Sequence, residues 1–135
     1  GLAVRQDSEN PVYYVQYAHA RICSLIAMLT EEGQAVPRAG EVDAALLVTE
    51  QERELVKQLA GLTEEIRLAA QQYDPSRLNR YVTELAARFH RFYNVCRIKG
   101  EEPELLRVRL LLADTTRRVI AIVLGILGVT APEKM

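Results

Sequence analysis

Apolar residues recur every three to four positions along most of this chain, which is the spacing of one face of an α-helix. Residues 78–97 carry this pattern most clearly, with one apolar stripe made of Leu78, Val82, Leu85, Phe89, Phe92 and Cys96. No run alternates between apolar and polar residues, and no Asn-Gly hairpin turn occurs, so the sequence predicts no β-strand. The periodicity therefore predicts an all-α fold.

Helix starts and stops divide the chain into a bundle of about five helices. Asn10-Pro11 and Asp74-Pro75 predict two starts, because Asn or Asp can cap free amides and Pro is tolerated at the first helical position. Gly33 predicts a stop, since glycine readily adopts the left-handed conformation that ends helices. The predicted helices cover about 11–32, 50–60, 63–73, 75–98 and 103–127, with a long loop at 33–48.

Further local patterns predict a helix start, the most buried segment and the start of the domain. Thr49 and Glu52 have the spacing of a capping box, which predicts a helix from residue 50. Residues 119–127 are apolar on nearly all sides, so we expect them to be the most buried element. No folding signal precedes Asn10, so we expect residues 1–9 to end a linker and residues 10–135 to form the domain.

Composition narrows the classes of function. The chain has 135 residues, of which 49% are apolar and 26% charged, with a formal net charge of -1. These values are typical of one globular domain and argue against a uniformly basic nucleic-acid binder. Residues 41–66 hold seven acidic side chains against two basic ones, whereas residues 75–99 hold six basic against one acidic. We therefore expect a polarised molecule with one end that attracts anions.

Catalytic and metal-binding patterns are missing from the sequence. His19 and His90 lie on separate predicted helices without HExxH spacing, and no glycine-rich phosphate loop occurs. Cys23 and Cys96 lack CxxC spacing, which favours buried thiols in a reducing compartment over a metal pair. The longest apolar run is too short to span a bilayer, and no signal peptide opens the chain. We expect a cytoplasmic domain with no catalytic residues, no metal ligands, no membrane segment and no DNA partner.

Aromatic and polar residues beside the apolar stripes favour binding of single-stranded RNA. Tyr17 and Arg21 are four positions apart, so the guanidinium can lie over the ring. A third face of residues 78–97 carries His90, Tyr93, Asn94 and Arg97. Unstacked RNA bases bind to aromatic rings and arginine planes of this kind. Two alternatives remain open at this point: a half-buried structural Tyr93, and a helix-bundle module that binds protein partners.

Three segments resemble the anticodon-binding domain of arginyl-tRNA synthetases. They are ENPVYYVQYAHAR at 9–21, FHRFYNVCRI at 89–98 and RLLLADTTRRVIAIVLGILGVTAPEKM at 109–135. The resemblance spans nearly the whole chain, with the loop at 33–48 as its variable part. It implies the helical fold of class I aminoacyl-tRNA synthetase anticodon-binding domains and binding of the arginine tRNA anticodon loop. HIGH-like and KMSK-like ATP motifs are not present, so the resemblance is to the C-terminal domain alone.

The resemblance also implies roles for individual residues. Tyr17 and Arg21 would form part of the anticodon pocket, Tyr93 would contact the middle base, cytosine, and Met135 would contribute at the same pocket. We add His90, Asn94 and Arg97 as RNA-binding candidates from their helical positions. In a full-length enzyme, the resemblance implies a catalytic domain that joins arginine to tRNA with ATP and Mg²⁺ and is a partner of this domain.

Overall fold

The computed structural model describes residues 11–135, and within that range it contains five α-helices and no β-strand. This confirms the predicted all-α bundle, whereas the Asn10 cap and the linker expected at 1–9 lie outside the described residues. The helices, in chain order, are α1 Pro11–Glu31, α2 Glu50–Ala60, α3 Leu62–Gln72, α4 Ser76–Val95 and α5 Pro103–Ile126. The loop at 33–48 holds two 3₁₀ turns, Ala39–Glu41 and Ala44–Leu46.

The predicted capping box opens α2. The Thr49 hydroxyl accepts a hydrogen bond from the Glu52 amide at 3.1 Å, and the Glu52 carboxylate accepts one from the Thr49 amide at 3.0 Å. The same carboxylate is completely buried and lies 2.8 Å from Nε of Arg109 on α5. The capping residue Glu52 therefore also forms an ion pair between α2 and α5, which the sequence pattern did not predict.

α4 lies at the centre of the bundle and contacts each of the other four helices. Its apolar stripe is buried as predicted, and it packs against the apolar stripes of α1 and α5. The largest fully buried apolar side chains are Phe89, Phe92, Ile22, Leu29, Leu55, Leu85, Ile98, Leu110, Ile120 and Leu124. Removing a core phenylalanine of this kind typically costs about 3–5 kcal/mol.

The last turn of α4 differs from the prediction. The helix was expected to end near Ile98 but ends at Val95, because Cys96 has extended backbone angles of φ -107° and ψ 106°. The carbonyl of the next residue, Arg97, accepts a hydrogen bond from Nη1 of Arg109 at 2.8 Å. Arg97 is therefore not on a helical face, and its expected alignment with Tyr93 along α4 is wrong.

The apolar second half of α5 is less buried than expected. Val119, Ile120, Val123 and Leu124 are buried, but Ile122 and Ile126 are 51% and 53% exposed. The expectation that this segment is the most buried element is wrong, because α1 and α4 cover one side of α5 and leave its other side to solvent. Within residues 11–135, no helix has the length and apolarity needed to cross a membrane.

Candidate nucleic-acid interface

Four of the predicted site residues meet on one flank of α1 and α4, and we call them the α1–α4 cluster: Tyr17, Arg21, His90 and Tyr93. Nη1 of Arg21 donates to Nδ1 of His90 at 3.1 Å. The Arg21 guanidinium carbon lies 4.6 Å from the centroid of the Tyr93 ring. The Tyr17 ring stacks on the imidazole, with centroids 6.2 Å apart and an interplanar angle of 24°. The cluster thus contains one cation, Arg21, which contacts both the His90 imidazole and the Tyr93 ring.

The spacing within each helix brings these side chains to the shared flank. Residues three or four apart project from the same side of a helix, as Tyr17 and Arg21 do on α1 and His90 and Tyr93 do on α4. The sequence predicted that the Arg21 guanidinium covers the Tyr17 ring, but it covers the Tyr93 ring instead. The packing of α1 on α4 places the Tyr93 ring next to Arg21, and periodicity along one helix does not contain that information.

Tyr93 contacts both the hydrophobic core and the α1–α4 cluster. One side of its ring stacks on Phe89 of the core, with centroids 5.7 Å apart and an interplanar angle of 14°, while the ring also carries the Arg21 guanidinium. The side chain is half-buried and packs against the hydrophobic core. A structural role for Tyr93 is therefore present, and it coexists with a position inside the cluster.

Arg21 has no carboxylate partner within residues 11–135, whereas other arginines of the domain do. Arg77 pairs with Glu65 at 2.7 Å, Arg88 with Glu54 at 3.3 Å, and Arg91 with Glu84 at 3.1 Å. The positive charge of Arg21 is held by a neutral imidazole nitrogen and an aromatic face alone. Such a charge is available to an anion from outside the chain.

The ion pairs on α4 also correct the expected polarity of the molecule. The acidic segment 41–66 and the basic segment 75–99 were expected to lie apart, but α2 and α3 pack against α4 and bring these opposite charges together. The arginines of α4 are consequently neutralised in large part by acids of the same domain. Exposed ion pairs of this kind contribute little to stability, typically about 0–1 kcal/mol each.

His90 is held in an apolar environment next to Arg21. Burial, and after it the charge of Arg21, lowers the pKa of His90 below its usual value. The ring also lies beside Tyr14, with centroids 5.2 Å apart and an interplanar angle of 51°. Tyr14 was not among the predicted site residues, although its position three residues before Tyr17 puts it on the same flank of α1.

Two side chains on another flank of α1 fix the C-terminal tail. Nε2 of Gln16 donates to the carbonyl of Thr130 at 2.9 Å. Nδ1 of His19 lies 2.8 Å from the carbonyl of Pro132, and because a carbonyl only accepts, the imidazole donates. His19 is buried and its Nδ1 is hydrogen-bonded. At about 100° per residue, this flank lies on the opposite side of α1 from Tyr17.

The tail is turned toward α1 directly after α5. Gly128 has a φ of 75°, and the amide of Val129 donates to the carbonyl of Leu124 at 2.8 Å. A left-handed residue at this position is favourable for glycine and strained for other residues. Val129 and Ala131 then pack against the core. Gln16 was not predicted from the sequence, although its place at the start of the QYAHAR segment was a usable signal.

The remaining three predicted site residues are exposed and do not bond to the cluster within residues 11–135. Met135 is 52% exposed, Asn94 is exposed on the last turn of α4, and Arg97 is exposed and pairs with Glu101 at 3.7 Å. Within residues 11–135, no hydrogen bond, ion pair or ring contact joins any of the three to Tyr17, Arg21, His90 or Tyr93.

Residues 11–135 contain no group of three or more His, Cys, Asp or Glu side chains that could hold a metal ion. Cys23 and Cys96 are both free thiols.

Comparison with known proteins connects this geometry to a family. The family model for the DALR anticodon binding domain matches residues 15–135. The chain is 52% identical over 134 residues to an arginine–tRNA ligase from Ruminiclostridium cellulolyticum and 54% identical over 134 residues to one from Acetivibrio thermocellus. Each alignment covers 99% of the chain but 24% of the relative. The chain thus spans about a quarter of the length of the curated relatives it matches.

A solved structure shares the fold. The arginyl-tRNA synthetase of Thermus thermophilus aligns with a TM-score of 0.78 at 30% sequence identity. The alignment covers 90% of this chain and 21% of the Thermus chain. The five-helix bundle is therefore an architecture already present within a longer protein.

Proposed function

Because this chain belongs to the family of DALR anticodon binding domains, we propose that it binds the anticodon loop of arginine tRNA. The relatives named above are arginine–tRNA ligases, which supports arginine tRNA as the partner. The observation that carries the proposal is Arg21, a guanidinium stacked on Tyr93 and bonded to His90, with no carboxylate partner within residues 11–135. A charged plane among aromatic rings suits a nucleotide, which offers both a phosphate and a base.

In this proposal the loop bases are splayed out and the middle cytosine lies beside Tyr17 and Tyr93. The exposed end of the tail, residues 133–135, would reach this base from the other flank of α1. The Tyr17 ring is 43% exposed and can stack on a base, a contact that contributes roughly 1–3 kcal/mol. Arg21 would contact a phosphate, and backbone carbonyls near Met135 would accept from the cytosine amino group. Asn94 and Arg97 are exposed beyond the cluster, where they could contact neighbouring nucleotides.

We further propose that the domain acts within a full-length arginine–tRNA ligase in the cytoplasm. The chain covers 24% of the length of its relatives, so most of such an enzyme lies outside it. Attachment of arginine to tRNA, with ATP and Mg²⁺, would then occur on a separate catalytic domain. Residues 1–9 would connect the two domains. The present domain would contribute recognition of the tRNA and no catalytic group.

Replacing Tyr17 tests the proposed interface. We expect Tyr17→Ala to weaken binding of an arginine anticodon stem-loop about tenfold, because one stacked base is lost. The melting temperature should change little, since the ring is already 43% exposed. Tyr73→Ala is the matched control, because Tyr73 is 93% exposed and ends a different helix, α3. Equal losses in both variants, measured by titration, would contradict the proposed site.

Stem-loops that differ only at the middle anticodon base test the specificity. We expect cytosine to bind most tightly, because only its amino group and ring edge match the proposed acceptors. Equal affinity for all four bases would count against base recognition at this pocket. A helix-bundle module for protein partners, the alternative function, would instead give no gel shift with any stem-loop and would self-associate or bind protein in size-exclusion experiments.

A further inference from the structure

One ring nitrogen of His90 is hydrogen-bonded and the other is buried. Nδ1 accepts from Nη1 of Arg21 at 3.1 Å. Nε2 is buried and has no hydrogen-bond partner within residues 11–135. The rings of Tyr14 and Tyr17 lie beside the imidazole, with centroids 5.2 Å and 6.2 Å from its own. Neither nitrogen is therefore free to bond a nucleotide, since Nδ1 is bonded to Arg21 and Nε2 is buried.

The partner of Nδ1 determines the protonation state of the ring. A guanidinium offers only donors, so Nδ1 must carry a lone pair, and the single proton of the neutral imidazole then lies on Nε2. A second proton, on Nδ1, would set two donors against each other and place a second positive charge beside Arg21. The contact between His90 and Arg21 exists only while His90 is neutral.

We propose that His90 is a positioning residue whose Nδ1 lone pair holds the Arg21 guanidinium against the Tyr93 ring, ready for RNA, while its own ring touches no nucleotide. This differs from the role in RNA contact that the sequence indicated for His90. This inference rests on the proposed RNA binding. In it, His90 orients the guanidinium, whereas Arg21, Tyr17 and Tyr93 touch the RNA. An arginine fixed before binding loses less conformational entropy when RNA arrives.

The electrostatic surroundings of His90 make this role sensitive to acid. Burial and the nearby Arg21 charge lower the pKa of His90, so the ring is neutral near pH 7. Within residues 11–135, the other titratable or charged groups near this pair come from α1 and α4. The Tyr14 and Tyr17 rings lie beside the imidazole, the Tyr93 ring lies against Arg21, and the charges of Arg91 and Glu84 act on Tyr14. Glu84 and Arg91 pair with each other at 3.1 Å. Acidification should therefore protonate His90, break the Arg21 contact and weaken RNA binding.

Two isosteric substitutions separate positioning from RNA contact. His90→Asn keeps an acceptor at the place of Nδ1, because its amide oxygen is the same number of bonds from Cβ. His90→Gln instead keeps a polar group at the place of Nε2. For an arginine anticodon stem-loop at pH 7.5, we expect His90→Asn to bind within about twofold of the unmodified chain and His90→Gln about tenfold more weakly, the loss of one charge-assisted hydrogen bond. Melting temperatures of both variants control for folding.

The pH profile provides a readout that a purely structural role would not change. The unmodified chain should lose about tenfold in affinity when the pH falls through the histidine range, whereas His90→Asn should show no such loss. An acid response that persists in His90→Asn would come from another group and overturn the proposal. Rescue by His90→Gln but not by His90→Asn would also overturn it, since Nε2 would then be the functional atom.

Nitrogen-15 chemical shifts of the His90 side chain test the proposal without RNA. We expect a protonated Nε2 and an unprotonated Nδ1 in the free chain near pH 7. A proton on Nδ1 would contradict the contact with Arg21 and therefore the positioning role. If the unmodified chain binds no stem-loop at all, the proposed function fails, and these shifts still decide separately whether His90 holds Arg21.

Discussion

At the scale of residues, the Arg21 guanidinium is the feature that most favours RNA binding. Arg21 touches the imidazole of His90 and the ring of Tyr93, and neither of these groups neutralises it. An arginine next to an aromatic face retains its charge while its plane is held in one orientation. This combination distinguishes Arg21 from the arginines of α4, whose charges are paired with carboxylates of the same domain.

Removing the Arg21 charge should therefore have a specific effect on RNA binding. We expect Arg21→Met to weaken stem-loop binding about tenfold and to reduce the slope of log affinity against log salt by about one phosphate contact. The free energy of unfolding should fall by less than about 1 kcal/mol, because methionine still packs on Tyr93 and a half-exposed cation–π contact contributes little.

Arg53→Met is the matched control for this prediction. Arg53 is exposed on α2 and forms no ion pair within residues 11–135, so the substitution removes the same charge from another surface. The two variants should differ in affinity and in salt slope when they are titrated under the same conditions. A salt response that both substitutions change equally would indicate general electrostatic attraction in place of a contact from Arg21.

At the scale of elements, α1 uses both sides of its apolar stripe. One flank presents Tyr17 and Arg21 to α4, and the other binds the tail through Gln16 and His19. An ordinary amphipathic helix buries one face and leaves the rest to solvent. The bonds from α1 end at Pro132, so the last three residues continue beyond the anchored part of the tail and are exposed.

Shortening the tail tests its contribution. We expect removal of residues 133–135 to leave the melting temperature nearly unchanged, because the bonds from Gln16 and His19 to Thr130 and Pro132 remain. Stem-loop affinity should fall mainly for cytosine at the middle position, since the tail carbonyls are the proposed acceptors. Gln16→Ala loosens the base of the tail, and it should weaken binding in the full chain but add nothing in the shortened chain. An equal loss for all four bases would exclude base recognition by the tail.

At the scale of the whole molecule, one buried ion pair connects three parts of the bundle. Glu52 on α2 accepts from Arg109 on α5, and Arg109 also bonds the carbonyl of Arg97, directly after α4. Burial raises the pKa of Glu52, but hydrogen bonds from Arg109 and Thr49 outweigh it, and the net pKa lies below the usual value. The pair thus fixes the place where α4 ends and orients the connection to α5.

Breaking this pair should destabilise the domain. We expect Glu52→Gln to lower the free energy of unfolding by about 3 kcal/mol, because Arg109 loses its buried counterion and keeps only the more exposed carboxylate of Glu101, at 3.4 Å. The exposed pair of Glu64 and Arg67 provides the control, and Glu64→Gln should leave stability nearly unchanged. Urea unfolding at neutral pH measures both variants. A loss of stability as small in Glu52→Gln as in Glu64→Gln would contradict the structural role of the buried pair.

The sign of the pH dependence follows from the lowered pKa of Glu52. The folded-state pKa lies below the unfolded one, so the contribution is fully present above the unfolded pKa and is lost as the pH falls through the folded pKa. The unmodified chain should therefore lose stability over this acid range more steeply than Glu52→Gln. Parallel losses in the two chains would show that other carboxylates account for acid unfolding.

Much of the bundle could be predicted because its signals are local. The Thr49 capping box, the stops at glycine and the apolar stripe of α4 each depend on residues within one or two turns of each other. Predictions failed where another helix took part. The apolar periodicity of α4 continues past Val95 and predicted a longer helix. The helix ends at Val95, and the extended segment after it holds the Arg97 carbonyl that accepts from Arg109.

The sequence by itself determined the five helices, the Thr49 cap of α2 and the side chains available on each flank, because backbone hydrogen bonding and the helical repeat are properties of neighbouring residues. The tertiary structure alone decided which flanks meet. Arg21 and His90 are 69 positions apart, and packing α1 on α4 places Arg21 over Tyr93. The opposite charges of α2 and α4 cancel for the same reason, since the register between packed helices sets the distances across their interface.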